Sequence, residues 1–307
     1  MKKLLYTILY WSGFNYLYSL FLNKKLFIIM YHSITPKDGP SQYHYLYSHI
    51  ATPAEKFEKE LQYLKERGHT FISFDDVKNL SQKKIKKPTI IYFDDGFKDF
   101  KTVALPILNT LNIRPTVFPV TGILDRTDMI WTVMYREALR KEGKSISDQN
   151  KMIEEIKNGT EKQRKEIMSQ YSLHNFTYLF DIYMNWSDIE ELAHAGVCIG
   201  SHGVTHTRLD EVSLEEVATE AKHSKFVLEK HIGMPVHVFS LPHGRGNEKV
   251  VQELEKAGYS YVVSKGIGLN TPPFTLNGVQ FFKNVSPKPY DSLQKFSLKL
   301  YVLNIFK

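Results

Sequence analysis

From Leu26 to Ser264 the chain alternates short apolar, partly β-branched runs with amphipathic helical stretches, a rhythm that restricts it to a parallel sheet layered with helices. "KLFIIMYHSI" (25–34), bounded by Pro36, reads as the first strand. "TPAEKFEKELQYLKERGH" follows as a helix, with a Thr52 cap, Pro53 at its start, Phe57, Leu61 and Leu64 at helical spacing, and Gly68 at its end. "TFISF" and "PTIIYF" read as further strands on either side of a short helix and a Lys-rich connector. The rhythm continues through strands at "PTVFPV", "VCIGS", "VHVFSL" and "YSYVVS", with helices between them. Such a sheet closes into a barrel or stays open, and in both cases its chemistry gathers at the C-terminal ends of the strands.

Between Leu124 and Trp186 the alternation breaks into a charged, helical stretch without internal repeats, which we read as an inserted cap at about residues 125–185. A chain of 307 residues accommodates one such large domain, here 26–290. Residues 1–25 differ in character. Nineteen uncharged residues, Leu4 to Leu22, lie between Lys2-Lys3 and Lys24-Lys25, but four tyrosines and several small polar residues dilute their apolarity. We expect an amphipathic helix lying on a membrane surface, with a spanning anchor or a packed soluble helix as alternatives. "LQKFSLKLYVLNIFK", within 291–307, has a similar Lys-bearing amphipathic pattern, so lipid contact is expected of both ends. The side of the membrane is left open, and a cytoplasmic location is the alternative. The formal charge of +7 suits an acidic polymer or anionic lipid head groups. No nucleic-acid motif accompanies it, and the lysine pairs before Pro88 read as a solvated loop. The single cysteine, Cys198, excludes cysteine-rich zinc sites and any intramolecular disulfide. The sequence is silent on oligomeric state.

Against this background, "IIYFDDGF" is anomalous: a strand fit for burial ends in Asp94 and Asp95, and Gly96 permits a sharp turn there. Unpaired carboxylates beside a core cost several kcal/mol, roughly, unless a cation or a proton neutralises them. A helix N-cap pair is the structural alternative. "GSHGVTHTRL" follows another strand and places His202 and His206 four residues apart, a spacing that puts two imidazoles on one side of a turn. One aspartate with two histidines makes a facial metal set, suited to hydrolytic zinc or non-haem iron. The remaining aspartate is then positioned to take a proton from water.

Taken together and in order, "MYHSI", "YFDDGF", "ALPIL", "RPTVFPV", "NWSDIEELAHAGVCIGSH", "SHGVTH", "FSLPHGRGN" and "LEKAGYSYVV" resemble the polysaccharide deacetylase family, also called the nodulation-type chitooligosaccharide deacetylase homology domain. The resemblance covers roughly residues 26 to 285. It implies a distorted parallel (β/α) barrel and a metal-dependent hydrolase that removes N-acetyl groups from an amino-sugar polysaccharide, glycan precursor or lipid-linked sugar. It also implies that Asp95, His202 and His206 hold a divalent metal, usually zinc, and that Asp94 is the general base. A backbone N–H near Pro242-His243 is implied as the oxyanion donor.

Three departures stand out. Gly203 replaces the Ser or Thr usual in the histidine motif, and Pro242-His243-Gly244 replaces Pro-Tyr-Gly. No histidine follows His243, so the late catalytic histidine of many members is missing. Members resembling poly-N-acetylglucosamine deacetylases draw the acid from the first strand, which makes His32 the candidate here and His243 the reserve. Trp131 in the insert is a candidate for stacking on sugar rings. A glycan-binding homologue that has lost its proton donor is the alternative to an enzyme.

Overall fold

A computed structural model of the chain describes residues 13, 17, 19–40, 42–80, 82, 84–266, 270 and 279–301. The strands are β1 (Phe27–Tyr31), β2 (Ser33–Thr35), β3 (Ala51–Pro53), β4 (Thr70–Phe71), β5 (Pro88–Asp95), β6 (Thr116–Pro119), β7 (Cys198–Ile199), β8 (Val238–Ser240), β9 (Tyr261–Lys265) and β10 (Gln280–Asn284). The α-helices are α1 (Ala54–Glu66), α2 (Leu105–Thr110), α3 (Thr121–Leu124), α4 (Trp131–Lys141), α5 (Ile146–Asn158), α6 (Glu161–Met168), α7 (Trp186–His194), α8 (Leu214–Ile232), α9 (Glu248–Lys256) and α10 (Leu293–Tyr301).

Among the described residues every ladder between these strands is parallel. One sheet runs β1-β5-β6-β7, with β4 beside the start of β5, and a second runs β10-β9-β8. Two single bridges join them into a ring: Ile29 to Val285 between β1 and the end of β10, and Ser201 to Phe239 between the end of β7 and β8. At these seams the ladder is reduced to pairs of hydrogen bonds, such as Met30 N–H to Val285 O at 2.9 Å and Ser201 N–H to Val238 O at 3.0 Å. The barrel is therefore closed but distorted.

Alternation along the strands separates two cores. Ile28, Met30, Ile90, Tyr92, Phe118, Val238 and Val263 fill the barrel interior. Phe27, Ile29, Tyr31, Ile91, Phe93 and Val117 face outward, under α1, α7 and α8. Burial on both faces explains why β5 is enclosed along its full length. The insert comprises α4, α5, α6 and a 3₁₀ stretch, Leu173–Ile182, and has small cores of its own.

Four local expectations are corrected. Thr52 lies in β3, and Pro53 rather than Thr52 is the N-cap of α1, without a side-chain cap bond. "TFISF" supplies only the two-residue β4, because the chain turns at Ser73 into a 3₁₀ segment, Phe74–Asn79. Lys87 of the supposedly solvated connector is buried, with its ammonium donating to Arg67 O at 2.8 Å and Ser19 Oγ at 3.1 Å. At the C-terminal end, α10 turns Phe296, Leu298, Leu300 and Tyr301 into the protein, and Tyr63 and His69 bond to Ser297 and Tyr301. The apolar face expected to meet lipid is thus occupied by the barrel. Of the segments on which the rest of the membrane expectation falls, residues 1–12, 14–16, 18 and 302–307 lie outside the described residues, and of those described Leu17, Leu20 and Phe21 are exposed. Among the described residues no helix is long and apolar enough to cross a membrane.

Candidate metal centre and active-site pocket

Pleating predicts that Asp94 joins Ile90 and Tyr92 inside the barrel and that Asp95 points out with Ile91 and Phe93. The backbone breaks this rule. Asp95 adopts φ +73° and Gly96 follows at +76°, two consecutive left-handed residues that rotate the Asp95 side chain back over the barrel mouth. A side chain on Gly96 would crowd Pro119 at 3.3 Å in an already unfavourable conformation, which accounts for the glycine.

His202 and His206 come from the loop that leaves β7. Asp95 Oδ1 stands 3.5 Å from His202 Nε2 and 3.5 Å from His206 Nε2. The three donor atoms lie within 4.8 Å of one another, and all three residues are buried. Ligands about 2.0–2.1 Å from a tetrahedral zinc are separated by roughly 3.4 Å, so the spacing fits a metal ion. The donors are also prepared for one. His202 Nδ1–H donates to Ser240 O at 2.8 Å, which turns Nε2 toward Asp95 as the nitrogen a cation would take in exchange for a proton. Asp95 Oδ1 and Asp94 Oδ1 are buried without hydrogen-bond partners, an expensive arrangement that a cation would relieve.

The electrostatics match this crowding. Burial raises the Asp94 carboxyl to about 7, Asp95's charge adds to the effect, and the charge of His202 and the Ser240 hydroxyl oppose it. For Asp95, burial pushes upward but is outweighed by the imidazoles of His202, His32 and His206 around it, which hold the carboxyl well below its usual range. Burial opposes charge on His202, yet Asp94 and Asp95 bring it up to about 9. Burial takes His206 down to about 3.

His32 leaves β1 into the same cavity, which measures about 400 Å³ and also receives Asp94, Asp95, His49, His202, His206, Ser240 and His243. Burial, followed by the charges of Lys288, His202 and Lys265 against that of Asp95, lowers His32 to about 4. His243 occupies a left-handed turn (φ +58°) with its ring 4.6 Å from the ring of His206. Arg164 Nη1 lies 3.5 Å from His243 Nε2. Three of the six described left-handed non-glycine residues, Asp95, His206 and His243, therefore meet in one pocket. Strain at about 1–3 kcal/mol per residue is retained where side chains must be aimed against local preference.

The loop carrying the histidines is held from behind by Glu220 of α8, which the sequence did not single out. Its Oε2 accepts from Val204 N–H at 2.6 Å and Thr205 N–H at 3.2 Å, and its Oε1 accepts from the Thr205 hydroxyl at 2.6 Å. A Cβ on Gly203 would sit 2.7 Å from Glu220 Oε2, and Gly203 has φ +81°. The departure from Ser or Thr at this position is thus tied to a carboxylate that needs the space. A polar network also ties the insert to this loop: Arg208 N–H donates to Glu161 Oε2 at 3.1 Å, Arg208 Nη1 to Gly159 O at 2.8 Å, and Arg208 pairs with Glu211.

Trp131 does not line the cavity. It is buried among Tyr135, Leu139, Ile153 and Ile156 with the Arg164 guanidinium over its ring, so its aromatic surface serves the core of the insert rather than a sugar. Ser240, Glu220, Asn284 and the pocket lysines went unnoticed in the sequence. The available signal was a position at the last residue of a strand, as for Ser240, Lys265 and Asn284.

Comparison with known proteins agrees with this architecture. The family model described as polysaccharide deacetylase matches residues 81–262, more than half of the chain. YxkH of Bacillus subtilis, named for the same family, is 23% identical over 253 residues, which are 81% of this chain and 65% of that protein. The chain therefore spans just under two thirds of this curated relative's length. Among solved structures, the Streptococcus pyogenes deacetylase PplD in complex with acetate superposes with a TM-score of 0.62 at 21% identity, over 91% of this chain and 99% of PplD. The de-N-acetylase from Aggregatibacter actinomycetemcomitans gives a TM-score of 0.64 at 13% identity, over 90% of this chain and all of that one. At these identities the superpositions establish the shared distorted barrel, and the family match, spanning both Asp94-Asp95 and the histidine loop, settles the lineage: this chain belongs to the polysaccharide deacetylase family.

Proposed function

We propose that the protein is a metal-dependent hydrolase that removes N-acetyl groups from an amino-sugar polysaccharide or glycan precursor. The observation that carries this reading is the convergence of Asp95 Oδ1, His202 Nε2 and His206 Nε2, with Asp94 Oδ1 buried and unpartnered beside them. A divalent ion held there, zinc being the best match to the donors, would lower the pKa of water toward ~7 and polarise an acetamide carbonyl. Asp94, which lines the same cavity with its Oδ1 3.9 Å from the His202 ring, is the proposed acceptor of the proton from that water.

The backbone N–H of His243, in the turn that lines the same cavity, is the proposed oxyanion donor, a contribution of roughly 3 kcal/mol in comparable sites. His32 is the proposed acid for the departing amine, with His243 as the second candidate. Because burial and nearby lysines lower His32 to about 4, it starts neutral, and the proton it would pass to the amine is one released from the attacking water during the reaction.

The test is release of acetate from N-acetylated glycans, with and without a chelator. Turnover that survives chelation would remove the metal from this reading. Asp94→Asn is expected to retain stoichiometric metal and lose at least 100-fold in kcat. Saturable glycan binding without acetate release would instead identify a silent homologue. From the sequence pattern of residues 1–25 we also infer peripheral membrane association, adjoining a catalytic unit of 26–290. Failure of the full chain to float with anionic vesicles would exclude that attachment.

A further inference from the structure

The pocket contains more cationic charge than the reaction requires. Lys157 at the end of α5, Lys265 at the end of β9 and Lys288 beyond β10 all line the cavity that holds Asp94 and Asp95. They come from three separate elements. Among the described residues none of their ammonium groups makes an ion pair or a side-chain hydrogen bond, whereas Arg208, which lines the same cavity, is paired with Glu211. The acid nearest Lys288 in sequence, Asp291, is already engaged by Lys295 at 2.6 Å and Lys299 at 2.5 Å.

All three face one cavity and act on one another electrostatically. Burial and then the charges of Lys265, Lys299 and Lys157 lower Lys288, with Asp291 opposing. Lys157 is lowered by burial and by Arg136 and Lys265, against Glu154. Lys288 also lowers His32 and His49, which line the cavity with it. Like charges gathered in a cleft focus a positive potential and lower their mutual repulsion when an anion enters. Asp94 and Asp95 do not supply that anion, since their charge is balanced by the histidines and the expected metal.

We propose that Lys157, Lys265 and Lys288 form an anion subsite beside the catalytic centre, so that the preferred substrate is an N-acetylated amino sugar carrying a phosphate or carboxylate within about one sugar unit of the acetamide. This rests on the deacetylase reading for the acetamide, but the subsite itself is defined by binding. The measurement is equilibrium binding of N-acetylglucosamine, an N-acetylglucosamine phosphate and a carboxylate-bearing N-acetyl sugar to the metal-loaded protein, for wild type, Lys265→Gln, Lys288→Gln and the Lys157/Lys265/Lys288 triple Gln variant.

We expect the charged sugars to bind at least tenfold more tightly than the neutral one, with the advantage shrinking as salt rises. It should fall severalfold in each single variant and vanish in the triple, while neutral-sugar binding stays unchanged. Comparison of the two charged sugars identifies the preferred anion, and the metal's own attraction for either cancels between wild type and variants. Equal binding of charged and neutral sugars by the wild type, a readout independent of variant folding, overturns the proposal. So does an undiminished preference in a folded triple variant. Anion preference without acetate release from any sugar would retain the subsite and remove the deacetylase reading; acetate release with no anion preference would do the reverse.

Discussion

Replacing Gly203 with alanine tests the link between α8 and the histidine loop. The new Cβ would lie 2.7 Å from Glu220 Oε2, well inside contact distance, on a backbone at φ +81°. The left-handed conformation costs a non-glycine residue about 1 kcal/mol. Displacing the carboxylate weakens its bonds from Val204 and Thr205 N–H, at 2.6 and 3.2 Å, and bonds to a charged acceptor are worth about 1.5–3 kcal/mol each. Partial loss of both adds about 3 kcal/mol, so Gly203→Ala is expected to destabilise the protein by about 4 kcal/mol. Glu220→Ala abandons the same donors and should cost about as much.

Once the carboxylate is gone, the alanine at 203 meets no obstruction and adds only its backbone cost. The double variant should therefore lie about 5 kcal/mol below wild type rather than about 8, a coupling of about 3 kcal/mol. Urea unfolding of the four proteins at one pH measures the cycle, and competition with a chromophoric chelator measures the effect on metal affinity, expected to drop at least tenfold in both single variants. Additive losses to within about 0.5 kcal/mol, or single variants with wild-type metal affinity, would refute the claim that Glu220 holds the loop through the space Gly203 leaves open.

His69 is buried between Thr89 Oγ1 at 2.6 Å and Tyr301 OH at 2.8 Å, and burial followed by Lys87's charge lowers it to about 3. A lowered folded pKa means that the unfolded chain binds the proton more readily, so stability present above pH 6.5 is lost as pH falls toward 3; at about 1.36 kcal/mol per unit the loss by pH 4 is about 3 kcal/mol. His69→Gln should flatten the pH dependence of the urea midpoint over that range, and parallel wild-type and variant curves would count against it. His202→Ala should abolish stoichiometric metal binding, read by elemental analysis after dialysis, and retained metal would show that the ligand set lies elsewhere. Trp131→Ala should cost about 3–5 kcal/mol of stability while leaving KM for glycans within twofold; a large rise in KM without destabilisation would restore the sugar-stacking role.

What the sequence made legible was whatever is encoded within a few residues. The strand ends, the left turn at Gly96 and the i, i+4 histidines are local patterns, so the barrel class and the placement of Asp94, Asp95, His202 and His206 in one cavity follow from short motifs. Glu220 was invisible because its significance depends on α8 approaching a loop 15 residues earlier, and nothing in "EVATEAKH" distinguishes it from a surface acid. Lys157, Lys265 and Lys288 are ordinary lysines until three elements bring them together. Trp131 and Lys87 were misread for the complementary reason: residue type suggested a surface role, but tertiary packing enclosed both.

The two seams of the barrel divide the pocket's duties between half-shells. Asp95, His202 and His206 belong to the sheet from β1 to β7, whereas Ser240, His243, Lys265 and Lys288 belong to the β8–β10 side. The bond from His202 Nδ1–H to Ser240 O, at 2.8 Å, crosses the β7–β8 edge beside the backbone bonds Ser201 N–H to Val238 O at 3.0 Å and Ser240 N–H to Ser201 O at 2.9 Å. The bond that fixes which nitrogen of His202 carries a proton therefore crosses from one half-shell to the other, so the orientation of that imidazole depends on both.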